Sequence, residues 1–546
     1  MLRGMTNPVG DLRAALVDAA SAMRGGAAIE PPGLERPPKP EFGDYSTHAA
    51  MLLAPSLGAP PRQVAERLGE ALRERLDSDL ERVEVAGPGF LNLFLSDAWC
   101  CRSLAGALAA REDYGRGRPE EVRTVDVEFV SANPTGPLTV ASGRHAAYGD
   151  SLCRLLSFAG HEVEREFYVN DRGGQIARFA ASIRARAGGA EPPEDGYHGA
   201  YVKDIADRIG SVDGLHDDEL ARRGVEIMLE GVKATLERFR VRMDRFASER
   251  ALHESGAVER VLSRLERGDR TYSLEGARWL RTTAFGDDKD RVLVRSDGEL
   301  TYFGNDIPYH ADKLARGYDL VIDVLGADHH GYVARMHAAW QAIGGDPDGF
   351  EILIMQLVNL QERGQRAQMS KREGTFVRLD DLIDDIGVDA ARWFLLQRSH
   401  DTTIDLDLDL ARQESQDNPV YYAQYAHARI AGILRRAGEE RVREALAADI
   451  STSSEQLHPS ARTLVKKLLE FPEEVQTAAR RRAPHRITVH VTEAAQAFSA
   501  FYRDCKVVGA ADEGGDEDLR IGLTEMTRRV IASNLDLLGV AAPEEM

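Results

Sequence analysis

The stretch "TVDVEFVSANPTGPLTVASGRHAAYGDSLCRLLSFAGHEVEREFYVND" (124–171) decides the fold. Val125, Val127 and Phe129 alternate with Asp126 and Glu128, the two-residue period of a strand. Leu152, Leu155, Leu156 and Ala159 then mark one face of a helix, which Gly160 is suited to stop. Strand character returns in "HEVEREFYVND" (161–171), so the stretch predicts a β-α-β unit. Its turn, "NPTGP" (133–137), leads into the helix N-terminus, where unpaired N–H groups and the positive dipole end favour an anion. Gly136 permits close backbone approach, and Pro134 and Pro137 stiffen the loop.

Outward from this unit the pattern changes. Upstream, "VGDLRAALVDAASAM" and "PPRQVAERLGEALRERL" have helical spacing, and "VEVAGPGFLNLFLS" (83–96) reads as strand, turn and strand. A small α/β unit is therefore expected, joined through the charged linker "REDYGRGRPEE" (111–121). Downstream, residues 200–285 read as a mostly helical insertion. "RVLVRSDGELTYF" (291–303) reads as a hairpin turning at Asp297-Gly298. "YDLVIDVLGAD" (318–328) has the apolar run of a buried parallel strand, and "FEILIMQLVNL" (350–360) is read as one further strand. From about 408 onward helical periodicity dominates.

The 546 residues exceed what one core usually serves, so several domains are expected. No apolar run is long enough for a membrane span, and no secretory signal pattern opens the chain. The four cysteines have no metal or redox spacing, which suits a cytoplasmic protein. A net charge of −20 argues against wholesale nucleic-acid binding, although Arg429, Arg435, Arg436 and "ARRRAPHR" (479–486) form basic clusters that are equally consistent with a solvated helix face.

A late loop, "QMSKREG" (368–374), presents Ser370, Lys371 and Arg372 between small residues. Its lysine suits a polyphosphate as a mobile point charge. Alone, each motif is weak. In order, the β-α-β opening, "VLGADHHG", the M-S-K-R loop and a helical C-terminus resemble class I aminoacyl-tRNA synthetases, whose signatures are an H-x-G-H turn and a K-M-S-K-S/R loop. More narrowly, the chain resembles bacterial arginyl-tRNA synthetases along nearly its whole length. The stretches that carry this include "PPKPEFGDYSTHAAMLLA" (37–54), "VEFVSANPTGPL" (127–138), "FGDDKDRVLVRSDGELTYFGNDIPYHADKL" (285–314), "VLGADHHGYVARM" (324–336) and "DLDLDLARQESQDNPVYYAQYAHARI" (405–430).

The resemblance implies an α/β fold: a Rossmann-type catalytic domain (116–404), a small N-terminal α/β domain that contacts the tRNA elbow (1–115), and an all-α anticodon-binding domain (405–546). It implies ATP with Mg²⁺, L-arginine and tRNA(Arg) as substrates, no tightly bound cofactor or resident metal, no DNA or membrane partner, and a monomer. Arginine would be held by Glu128 and Asp306, with Asn133, Tyr302 and His329 beside them. A planar guanidinium is best matched by carboxylates in fork geometry. Pro134, Gly136, Gly326, Asp328, Met369, Ser370 and Lys371 stand where the family binds ATP. Phe90 and Asn92 match residues that meet the tRNA elbow, and Tyr422, Tyr425, Tyr502 and Met546 match the anticodon side. As a bland alternative, Phe90 and the tyrosines are core residues.

The chain departs from the family at one critical place. Thr139-Val140-Ala141-Ser142 replaces the H-x-G-H tetrapeptide, and Gln368 replaces the first lysine of the loop motif. Thr139 and Ser142 keep the i, i+3 spacing, so with Lys371 they are the candidate catalytic donors, and His145 follows close behind. An active arginine–tRNA ligase is the first reading. An inactive paralogue that binds tRNA or arginine is the second, and the altered turn is its whole case.

Overall fold

The computed structural model describes residues 7–27, 32–37, 39–366 and 377–546. At its centre is a five-stranded parallel sheet. In chain order its strands are Thr124–Glu128, Glu162–Val169, Arg245–Ser248, Leu320–Gly326 and Phe350–Met355. In space the order is third, second, first, fourth, fifth, so the chain reverses direction across the sheet between the first and fourth strands. Open α/β sheets bind ligands beyond the carboxyl ends of the two strands that flank such a switch point.

The β-α-β unit forms as its periodicity predicts, with the helix running from Val140 to Phe158. Val125, Val127 and Phe129 are fully buried in the same core as the helix residues Leu152, Leu155 and Leu156. The contact is close because Gly149 has no side chain: a Cβ there would lie 2.1 Å from the Phe129 ring. Asp126 and Glu128, on the other parity, are also buried, facing the helix Tyr302–Arg316.

The segment 200–285 is mostly helical, as expected, but within it Arg245–Ser248 supplies the edge strand of the central sheet, and Thr271–Leu274 pairs with Ala277–Leu280. Two local expectations are corrected. The Asp297-Gly298 turn exists, but the arm after it makes only a single bridge, Val294 to Leu300, before the Tyr302 helix begins. Arg291–Val294 pairs instead with Ala277–Leu280. Finally, 350–360 is two strands, since Val358–Glu362 leaves the central sheet to pair in parallel with Ile404–Asp407.

The N-terminal unit packs helices Pro8–Met23, Ala49–Leu57 and Pro61–Leu76 against an antiparallel three-stranded sheet. It docks directly on the C-terminal helices. Asp44 accepts from Arg462 Nη2 at 2.8 Å and Lys466 Nζ at 2.5 Å, and the Tyr114 hydroxyl donates to the Leu468 carbonyl. The basic clusters are largely paired: Arg482 with Glu351, Arg486 with Glu474, and Arg435 with Glu545. No helix among the described residues is long and apolar enough to cross a membrane.

Candidate active site

The first strand ends in backbone strain. Val130 and Ser131 adopt φ of 70° and 40°, the left-handed region, which a β-branched residue rarely enters. Such strain persists only where the surroundings over-determine it, and it clusters at functional sites. Here it turns the Ser131 hydroxyl back to donate to Glu128 Oε1 at 2.7 Å, while Ser131 Oγ accepts from the Tyr168 amide.

The other Glu128 oxygen accepts from Lys313 Nζ at 2.5 Å. Lys313 also donates to Asp323 Oδ1 at 2.7 Å, and it is wholly buried. His310, one turn earlier on the same helix, has Nε2 2.8 Å from Asp323 Oδ2 and Nδ1 2.9 Å from the Asp306 carbonyl oxygen. Both partners accept, so both ring nitrogens carry protons, and the nearby Asp323 raises the imidazole pKa against the effect of its burial. Asp323 itself is held well below the usual carboxylate range by Lys313 and His310, which outweigh its burial.

Asp306 lies one turn into the Tyr302 helix, whose N-terminus Thr301 caps. The Tyr332 hydroxyl donates to Asp306 Oδ2. Desolvation dominates nevertheless: it pushes the Asp306 carboxyl up to about 7, with Glu128 adding to the rise and Tyr332 and His310 opposing it. Tyr302 is largely exposed and tilts against Tyr332, whose ring also meets His329 edge-on. Asp306, Tyr302 and His329 are thus brought together around Tyr332, and Glu128 lies near enough to Asp306 to raise its carboxyl pKa. Asn133 is exposed on the turn after the first strand.

On the phosphate side, Thr139 caps the Val140 helix. Its Oγ1 accepts from the Ser142 amide at 3.3 Å and lies 3.3 Å from Ser142 Oγ, so the two hydroxyls share the helix start. Pro134 is buried, and Gly136 lies against Tyr201 of the following helical segment. Tyr201 donates to the Thr135 carbonyl at 2.8 Å. Gly326 ends the fourth strand across the switch point, and Asp328 follows it, mostly exposed. His145 lies close to Gly326, and burial and Arg144 push its imidazole down to about 4, so it is neutral near pH 7. Met369, Ser370 and Lys371 lie outside the described residues. The segment that follows them is tied to this helix: Val140 N donates to Val377 O, and Leu379 N to Leu138 O.

The remaining candidates divide by exposure. Phe90, Tyr425 and Met546 face solvent. Asn92 does not: it is buried, and its side-chain oxygen accepts from Ser46. Tyr422 is half-buried with its hydroxyl against Ser499, and Tyr502 stacks on Phe498 under Arg429. Sequence reading missed Lys313, His310, Asp323, Tyr332 and Tyr201. The only available signal for the first two was their i, i+4 and i, i+7 spacing from Asp306, on the face that also carries Tyr302.

The strand order, the carboxylates at the switch point and the capped helix start across from them are compatible with the class I aminoacyl-tRNA synthetases that the sequence resembles. Three family models match the chain: the arginyl tRNA synthetase N terminal domain over residues 10–95, the class I (R) tRNA synthetase catalytic domain over 215–432, and the DALR anticodon binding domain over 423–546. The arginine–tRNA ligase of Frankia alni is 46% identical over 525 residues, 94% of either chain. The structure of Thermus thermophilus arginyl-tRNA synthetase superimposes with a TM-score of 0.79 over 100% of both chains at 24% identity. The Plasmodium falciparum enzyme does so with a TM-score of 0.77, 16% identity and coverage of 98% of this chain and 99% of that one. The chain belongs to the arginyl-tRNA synthetase family.

Proposed function

We propose that this chain attaches L-arginine to tRNA(Arg) in two steps. The arginine carboxylate attacks the α-phosphorus of ATP, supplied as its Mg²⁺ complex, and diphosphate leaves. A terminal ribose hydroxyl of the tRNA then attacks the arginyl carbonyl, and AMP leaves. The observation that carries this reading is the convergence of Glu128 and Asp306 at the switch point of the sheet, where two carboxylates ringed by tyrosines suit a guanidinium. Asn133, Tyr302 and His329 complete the arginine pocket. Pro134, Gly136, Gly326 and Asp328 receive ATP, and Met369, Ser370 and Lys371 close over its phosphates.

In this reading "TVAS" is a working substitute for the missing histidines. A hydroxyl donates one hydrogen bond to a phosphate oxygen, and donors fixed at a helix N-terminus reorganise little as charge develops. Hydroxyls reach less far than imidazoles, so the phosphates sit nearer the helix, with neutral His145 available as a bridge. Residues 1–115 and 405–546 are the tRNA-binding units, in which Phe90, Tyr425 and Met546 meet nucleotides directly. Asn92, Tyr422 and Tyr502 support those surfaces from within. No observation favours an inactive paralogue.

The test is aminoacylation of a tRNA(Arg) transcript by the full chain with labelled arginine and MgATP. Charged tRNA and AMP should accumulate together, and diphosphate exchange should require tRNA, as is typical of the family. Folded protein that leaves the cognate transcript uncharged would overturn the proposal.

A further inference from the structure

We propose that Lys313 is a positioning residue for arginine recognition, holding Glu128 compensated and aimed from beneath the pocket. The inference rests on the reading that Glu128 takes the substrate guanidinium. Lys313 touches no solvent and meets Glu128 directly, while its other carboxylate, Asp323, leads through His310 to the Asp306 backbone. Its ammonium is fixed from three sides, by Glu128, by Asp323 at 2.7 Å and by the Tyr309 ring at 4.4 Å.

The surroundings explain why a cation is required. Asp126, on the same strand as Glu128, is buried with neither carboxylate oxygen hydrogen-bonded, and Lys313 Nζ is 3.8 Å away. Glu166 on the neighbouring strand is saturated by Arg316 and the Tyr309 hydroxyl, so it leaves no cation for Glu128. His310 gives its protons to Asp323 and the Asp306 backbone. Lys313 is therefore the cation that compensates Glu128 before substrate arrives. Without it, Glu128 lies buried beside Asp126, Asp323 and Glu166 with no cation against it and loses the contact that aims its Oε2. A carboxylate that is neither compensated nor aimed holds a guanidinium poorly, so arginine affinity falls while the ATP side is untouched. Burial raises the Asp126 carboxyl, which marks the region as one that resists further negative charge.

The experiment measures steady-state arginine and ATP parameters for the full chain carrying Lys313→Met, Glu128→Gln, or both. Contact pairs of this kind couple strongly, so Lys313→Met should raise the arginine KM by about 10- to 100-fold at pH 7. The ATP KM should change by less than about threefold. A rise confined to the arginine KM, with the ATP KM held, is a split that mere loosening of the fold does not produce. In the Glu128→Gln background Lys313→Met should add little. If Lys313→Met does not fold, Lys313→Gln, which keeps a donor but removes the charge, must raise the arginine KM in the same direction. A folded Lys313→Met or, failing that, Lys313→Gln enzyme with a wild-type arginine KM overturns the inference. Glu128→Gln with a wild-type arginine KM instead overturns the pocket assignment on which it rests.

Discussion

At the scale of single residues, the proposed role of Asp306 makes arginine capture sensitive to pH. Its carboxyl is pushed up to about 7, and in that role its ionised form takes the cationic substrate. The arginine KM should therefore be flat above neutrality and rise by about tenfold per unit as pH falls below 7. Asp306→Asn should remove that slope and weaken arginine at every pH, which a pH series of initial rates measures. Ser142→Ala should slow activation by about 10²–10³ with arginine affinity preserved, as for loss of one oxyanion donor. Thr139→Val should act in the same direction and also lower stability by about 1 kcal/mol, because the hydroxyl caps the helix. Single-turnover adenylate formation and thermal melting separate the two effects. Wild-type activation in the double variant would show the hydroxyls to be bystanders.

At the scale of elements, Leu138 and Thr139, the start of the Val140 helix and the segment from Val377 to Leu379 form one seam. Gly143 is essential to it: a Cβ there would lie 2.6 Å from the buried Leu379 side chain. Gly143→Ala should destabilise the protein by about 1–3 kcal/mol through overpacking and lower kcat as Leu379 is pushed off the helix start. Melting temperature and charging rate together check this. The β-α-β unit was legible because one strand and one helix carry their own periodicity in adjacent residues. The edge strand Arg245–Ser248 was not, since it is four residues long and has meaning only beside Glu162–Val169. Lys313 and Asp323 were hidden for a related reason. A buried lysine is indistinguishable from a solvated one until strand order places Asp126, Glu128 and Asp323 beneath its helix. Asn92 shows the converse, a polar residue in an exposed-looking hairpin whose partner, Ser46, lies far away in sequence.

At the scale of the whole molecule, the N-terminal unit and the C-terminal helices are joined by charge as well as by chain. Arg462 and Lys466 hold Asp44 below its ordinary pKa against the effect of burial. This dock thus stabilises the fold above the unfolded carboxylate pKa near 4 and is lost as pH falls through the lower folded value. Asp44→Ala leaves two cations facing each other and should weaken stability by about 3–5 kcal/mol. The tRNA KM should rise while the KM values for arginine and ATP stay unchanged, a split that charging kinetics resolve. The dock also makes the protein a caliper. Phe90 sits on one jaw and Tyr425 with Met546 on the other, and the Asp44 cluster fixes the gap between them. On the proposed tRNA contacts, a tRNA(Arg) with one base pair added to its anticodon stem keeps every recognised letter yet should charge with a raised KM, because the two jaws are held at a fixed separation.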